Sequence, residues 1–210
     1  MDKERQRALK IYNLLKKEYG NARVALNFSN PFELLVATIL SAQCTDACVN
    51  MVTKELFKCC REPKDFAKID IGKLEEIIRP AGFYKNKARN IKEMSKVLIE
   101  KHNGEVPQDM EKLVSLPGVG RKTANVVRGN AFGLPAITVD THVKRLAFRL
   151  GFTDKTAPDK IEQGLMNLWP EEIRTEFSNS LIWHGRNVCK ARRPLCDLCV
   201  LNKLCPKNGV

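Results

Sequence analysis

The tetrapeptide Pro117-Gly118-Val119-Gly120 constrains this 210-residue chain more than any other stretch. It separates a helical pattern ending at Leu113 and Val114 from a second one starting near Arg121, where Ala124, Val127 and Ala131 share a face. Two helices joined by so short a turn make a helix-hairpin-helix. Glycine lets the turn take backbone angles closed to other residues, and its missing side chain lets N–H groups at a helix start approach a phosphate. A PGxG turn can equally be a tight helix connection, so the flanking residues have to decide between the two.

Helical spacing runs through the rest of the chain. A first helix is predicted over Asp2 to Tyr19, with Ala8, Ile11, Tyr12 and Leu15 inward and Gly20 closing it. Asn30-Pro31 opens a second, with Phe32, Leu35, Val36, Ile39 and Leu40 as its apolar stripe. The small polar run Ser41-Ala42-Gln43-Cys44-Thr45-Asp46 breaks the pattern, and Thr45 caps a further helix through Val49, Val52 and Leu56. Ile71–Ile78 and Lys85–Lys101 read as helices on either side of a turn carrying the adjacent aromatics Phe83 and Tyr84. After Asp140, helical spacing resumes through Leu150, from Pro158 to Leu168 and from Glu171 to Val188. About ten helical segments and no alternating strand predict an all-α fold.

Length and charge narrow the class. A chain of 210 residues with 43% hydrophobic content can bury a real core without a disulfide framework. Lys and Arg number 36 against 24 acids, a net charge of +12, which favours an anionic partner, with nucleic acid foremost and general solubility as the plain alternative. The amphipathic N-terminus lacks the features of a secretory signal, and no run reaches the ~18 apolar residues of a membrane span. An intracellular, cytoplasmic or nucleoid-associated protein is therefore expected. In a reducing compartment its eight cysteines are better suited to metal binding than to disulfides.

Cys189, Cys196, Cys199 and Cys205 form a C-x6-C-x2-C-x5-C pattern, a strong metal-site signal. Zinc and a 4Fe-4S cluster both take four thiolates; zinc sites usually present two close pairs, so the wider spacing suits the cluster better. Cys44, Cys48, Cys59 and Cys60 have no useful metal spacing and read as structural thiols. Between the first two ligand cysteines, Lys190, Arg192 and Arg193 sit on a loop tethered at both ends, suited to backbone phosphates or simply solvated. Lys122 falls in the first turn of the second hairpin helix, whose positive end disfavours an ammonium and leaves an amine able to form a Schiff base; a phosphate contact is the simpler role. Asp140, in Val139-Asp140-Thr141-His142, is its candidate carboxylate partner or a helix N-cap. His184 shares a face with Phe177, Leu181 and Val188, as a satisfied buried histidine would.

Taken together, these features resemble the endonuclease III family of DNA repair glycosylases in the helix-hairpin-helix superfamily. The resemblance spans nearly the whole chain and rests on LPGVGRKTANVV at Leu116–Val127, VDTHV at Val139–Val143, the 18-residue interval from Lys122 to Asp140, and the cysteine pattern. It implies two lobes, a helical barrel domain over 24–134 and an iron–sulfur domain built from 1–23 with 135–210, with DNA bound in the cleft between them. It implies a 4Fe-4S cluster, a monomer, and double-stranded DNA with a damaged base or abasic site as partner. Lys122 becomes the nucleophile and Asp140 the essential carboxylate of a bifunctional DNA glycosylase and AP lyase removing oxidised pyrimidines. Gly118 and Gly120 grip the DNA backbone. Gln43 matches a residue that fills the gap left by a flipped nucleotide, and Phe83 stands where many relatives carry a leucine wedge. The alternatives are a uracil or thymine mismatch glycosylase of the same superfamily, or a DNA-binding iron–sulfur protein without Lys122 chemistry.

Overall fold

Side-chain caps fix where several of the helices begin. In the computed structural model, which describes residues 3–20 and 22–210, the helices are Lys3–Tyr19 (α1), Pro31–Leu40 (α2), Asp46–Cys59 (α3), Pro63–Lys68 (α4), Ile71–Ile78 (α5), Tyr84–His102 (α6), Met110–Val114 (α7), Arg121–Ala131 (α8), Thr141–Arg149 (α9), Pro158–Leu168 (α10) and Arg174–Asn187 (α11). Among the described residues there is no strand, so the fold is all-α as predicted, and no helix is long and apolar enough to cross a membrane. The predicted start of α1 at Asp2 lies outside the described residues. Asn30 Oδ1 accepts the Glu33 N–H at 2.9 Å and Thr45 Oγ1 the Cys48 N–H at 3.3 Å, each cap worth about 1 kcal/mol.

The chain divides into two compact units. One comprises Ala25–Phe132 and holds α2 to α8. Its centre is α2, for which the sequence predicts a single apolar stripe. Instead every residue from Phe32 to Leu40 is buried, because α3, α6 and α8 all pack on this helix. A helix covered all round has no solvent face to read from periodicity. Each fully buried leucine here contributes about 1.5–3 kcal/mol. The polar members of α2 are satisfied: Glu33 accepts the Ser29 N–H at 2.6 Å, and Thr38 donates to Leu34 O at 2.7 Å.

The other unit joins the segment up to Val24 with Gly133–Val210. The face of α1 predicted to be buried, Ala8, Ile11, Tyr12 and Leu15, is buried, and α1 packs on α11, which in turn packs on α9. Trp169 stacks on Phe177 at 3.9 Å between ring centroids, and Phe152 meets Trp169 edge-on at 4.9 Å. The predicted helix from Glu171 is split: Glu171–Ile173 forms a 3-10 turn and α11 proper starts at Arg174.

Candidate functional site

The hairpin turn gives its two glycines different jobs. Ser115 N–H returns to Glu111 O at 3.0 Å to end α7, and Val119 N–H bonds to Leu116 O at 3.1 Å to close the turn. Gly118 has φ +77°, and a Cβ there would lie 2.8 Å from Asn90 Cβ on α6. It is required both for backbone angle and for space. Gly120 has an extended backbone, φ −92°, so it is not needed for conformation; it is the N-cap of α8, offers no side chain to the helix start, and faces open space. The first-turn N–H groups of α8 are thus accessible to an anion. Lys122 is exposed in that same turn.

Asp140 belongs to the other unit and caps α9. Its Oδ1 accepts the N–H groups of His142 and Val143, both at 2.8 Å. The capping role weighed from sequence is therefore real, and because both bonds fall on Oδ1 it leaves Oδ2 available for a second task. Gly185 on α11 permits this arrangement, since a Cβ there would come within 2.9 Å of His142 Cβ. Burial pulls the His142 imidazole below its ordinary range; Asp140 opposes this and the guanidinium groups of Arg145 and Arg186 add to it.

Gln43 and Phe83 each occupy a left-handed backbone conformation, φ 54° and 49°. For side chains bearing a Cβ this costs about 1–2 kcal/mol, strain of a kind found at functional sites. Phe83 is 64% exposed, although an aromatic on a turn more commonly packs inward. Sequence reasoning missed the residue between the two turns. Lys87, buried on α6, donates to Leu40 O and Ala42 O at 2.7 Å each and to Ala81 O at 2.9 Å. Its three ammonium protons match three carbonyls, so its burial carries no unsatisfied donor. Burial lowers its pKa from the ordinary lysine value, while Cys44 and Cys48 raise it. The signal was present in the sequence: Lys87 lies in register with Ile91, Met94 and Leu98 on the apolar stripe of α6.

All four C-terminal cysteines line one cavity, together with Arg149, Val188, Pro194 and Leu195. Four thiols lining one cavity suit a four-thiolate centre, and their C-x6-C-x2-C-x5-C spacing suits a multi-iron cluster better than the two close pairs usual for zinc. His184 Nδ1 lies 2.9 Å from Tyr19 OH and Nε2 lies 3.3 Å from Cys199 Sγ. Burial brings the imidazole pKa down to about 4 and pushes the Tyr19 phenol up to about 12. A phenol donating to a neutral imidazole, whose other nitrogen donates to sulfur, satisfies all three groups, the partner pattern typical around metal ligands.

The loop between Cys189 and Cys196 is held from beneath. Arg149 donates to Lys190 O at 2.7 Å and Ala191 O at 3.0 Å, and Arg145 Nη2 to Cys189 O at 2.9 Å. Lys190, Arg192 and Arg193 are left exposed on this anchored loop.

Residues 36–171 match the HhH-GPD superfamily of base excision DNA repair proteins, and residues 189–205 match the iron–sulfur binding domain of endonuclease III. The chain is 51% identical to endonuclease III of Synechocystis sp. over 207 residues, 98% of this chain and 94% of the relative. A trapped endonuclease III–DNA covalent intermediate superposes with a TM-score of 0.92 at 47% identity, covering 97% of this chain and 96% of that one. A thermostable thymine-DNA glycosylase shares the fold at TM-score 0.89 but 23% identity, with 99% of each chain covered. Family matches that take in the hairpin and the cysteine segment, with a relative of half-identical sequence along 98% of the chain, assign it to the endonuclease III family of helix-hairpin-helix DNA glycosylases and AP lyases.

Proposed function

We propose that this chain excises oxidised pyrimidines from double-stranded DNA and then cleaves the strand 3′ of the abasic site, with Lys122 as nucleophile and Asp140 as the carboxylate that serves it. The damaged nucleotide is flipped out at a cost of a few kcal/mol, which a damaged pair reduces. The Lys122 amine attacks C1′ of the sugar with its lone pair, and the glycosidic C1′–N bond breaks, its electrons leaving with the base. Ring opening gives the protonated Schiff base. Loss of a C2′ proton then feeds electrons into that iminium and expels the 3′ phosphate by β-elimination. Asp140 takes the proton from the attacking amine and opposes positive charge developing on the sugar.

The remaining roles follow from each residue's setting. Gln43 fills the gap left by the flipped nucleotide and Phe83 enters the stack as an apolar wedge. Gly118 and Gly120 present the α8 N–H groups to one phosphate, and Lys190, Arg192 and Arg193 contact others. Cys189, Cys196, Cys199 and Cys205 hold a 4Fe-4S cluster, which when bound cross-links the C-terminal segment. The two compact units serve as the two lobes, and the protein works as a cytoplasmic or nucleoid-associated monomer.

The observation that carries this reading is Lys122 itself, exposed in the first turn of a helix whose glycine cap leaves that turn open. Borohydride reduction in the presence of duplex DNA with an abasic site tests it. The wild-type chain is expected to become covalently fixed to the DNA and Lys122→Gln is not; trapping that persists in Lys122→Gln removes the assignment.

A further inference from the structure

We infer that Lys87 is a positioning residue that sets Gln43 and Phe83 at a fixed mutual placement, so that both side chains enter the duplex as one rigid tool. The inference rests on the proposed reading of those two side chains as the ones that occupy the DNA stack. Gln43 lies on the turn that follows α2, and Phe83 lies just after the 3-10 turn Arg79–Ala81. The two turns are far apart in sequence, and a single buried ammonium joins their backbones by donating to carbonyls of both: Leu40 and Ala42 on one side, Ala81 on the other. A second, weaker tie runs in parallel, from Cys48 Sγ at the start of α3 to Pro80 O at 3.3 Å.

The chemistry suits this purpose better than simple core filling. An apolar residue of similar length would pack on the stripe of α6 as well, and without burying a charge. It would, however, leave the carbonyls at the end of α2 and of the 3-10 turn without this donor, where helix ends need partners. Lys87 also lies four residues beyond Phe83, whose carbonyl accepts the Lys87 N–H at 3.1 Å. The same residue therefore fixes Phe83 through its backbone and the Gln43 turn through its side chain. Both left-handed residues are held in conformations that an untethered turn would relax.

Single-turnover excision of a damaged pyrimidine from duplex DNA tests the proposal with Lys87→Met, which keeps the aliphatic stem and loses the donors. The variant is measured alone and in a Gln43→Ala/Phe83→Ala background. Alone it is expected to slow excision by up to about 100-fold, the size of effect produced when a positioned group drifts by about 1 Å. In the double-alanine background it is expected to cost nothing further, because there is no longer a tool to place. Borohydride trapping on single-stranded DNA with an abasic site, where no stack is entered, is expected to stay at the parental level. A full additional loss in the double-alanine background overturns the proposal. If the double-alanine protein itself excises at the parental rate, the reading of Gln43 and Phe83 fails and takes this inference with it. Should Lys87→Met not fold, Cys48→Ala takes its place in the same cycle. A loss of about two- to fivefold, the size of one weak hydrogen bond, that vanishes in the double-alanine background supports the tether; a loss that persists there, or none at all, refutes it.

Discussion

Asp140 carries two loads on one side chain, and they can be separated by substitution. As the cap of α9 it needs only an oxygen acceptor, because Oδ1 takes the His142 and Val143 N–H groups. As the proposed carboxylate it needs a negative charge. Asn is as good a cap as Asp, so Asp140→Asn should leave stability within about 1 kcal/mol, whereas Asp140→Ala should cost about 0.5–2 kcal/mol. Chemistry should respond to both alike, with single-turnover excision falling by about 10²–10⁴-fold, the range for loss of a positioned proton acceptor. Urea unfolding and excision kinetics on the same preparations measure the two loads. An Asp140→Asn protein with parental excision would reduce Asp140 to a cap alone.

The two glycines of the hairpin separate in the same way. At Gly118 a methyl group meets Asn90 Cβ at 2.8 Å and the left-handed backbone resists any Cβ, so Gly118→Ala should destabilise by about 1–3 kcal/mol. At Gly120 the backbone is extended and the space is open, so Gly120→Ala should lose no more than the roughly 1 kcal/mol of a poorer N-cap in urea unfolding. It should nonetheless bind abasic duplex more weakly by fluorescence anisotropy, because the methyl stands where a phosphate approaches the α8 N–H groups. Parental DNA affinity in Gly120→Ala would mean that this helix start holds no phosphate. From sequence, both glycines look alike; the left-handed backbone at Gly118 and the approach of Asn90, distant in the chain, tell them apart. Where a cue is local, the sequence is a good guide: the caps Asn30 and Thr45 and the buried face of α1 are where periodicity puts them. It fails where the cause is tertiary. Burial of α2 on every side follows from its three neighbours. The register of Lys87 with Ile91, Met94 and Leu98 marks it as inward-facing, but its partners, the carbonyls of distant turns, are visible only in the fold. Short α4 escaped notice because only Pro63 and Phe66 are buried in it, although Glu62-Pro63 with Asp65 form a local capping box.

The C-terminal segment depends on something other than a core. From Cys189 to Val210 only Leu201 is buried, so apolar packing contributes little there, and the segment is held by bonds from the Arg145 and Arg149 side chains to its backbone and, with a cluster bound, by its four cysteines. A bound cluster would draw together thiols whose burial otherwise raises Cys199 and Cys205 above the ordinary cysteine range. On the proposed reading that cross-link adds to the hold of Arg145 and Arg149 on the basic loop and so couples the metal centre to DNA binding. Iron and sulfide analysis should find about four of each per chain. Substituting Lys190, Arg192 and Arg193 together by Gln should flatten the dependence of log K on log salt by up to about 3 units, one for each phosphate that the protein no longer neutralises. Cys196→Ser should flatten it by a similar amount while the helical circular dichroism stays near parental, because α1 to α11 lie outside the segment. If Cys196→Ser loses iron yet keeps the parental salt slope, the loop is held by Arg145 and Arg149 alone and the cluster does not place it.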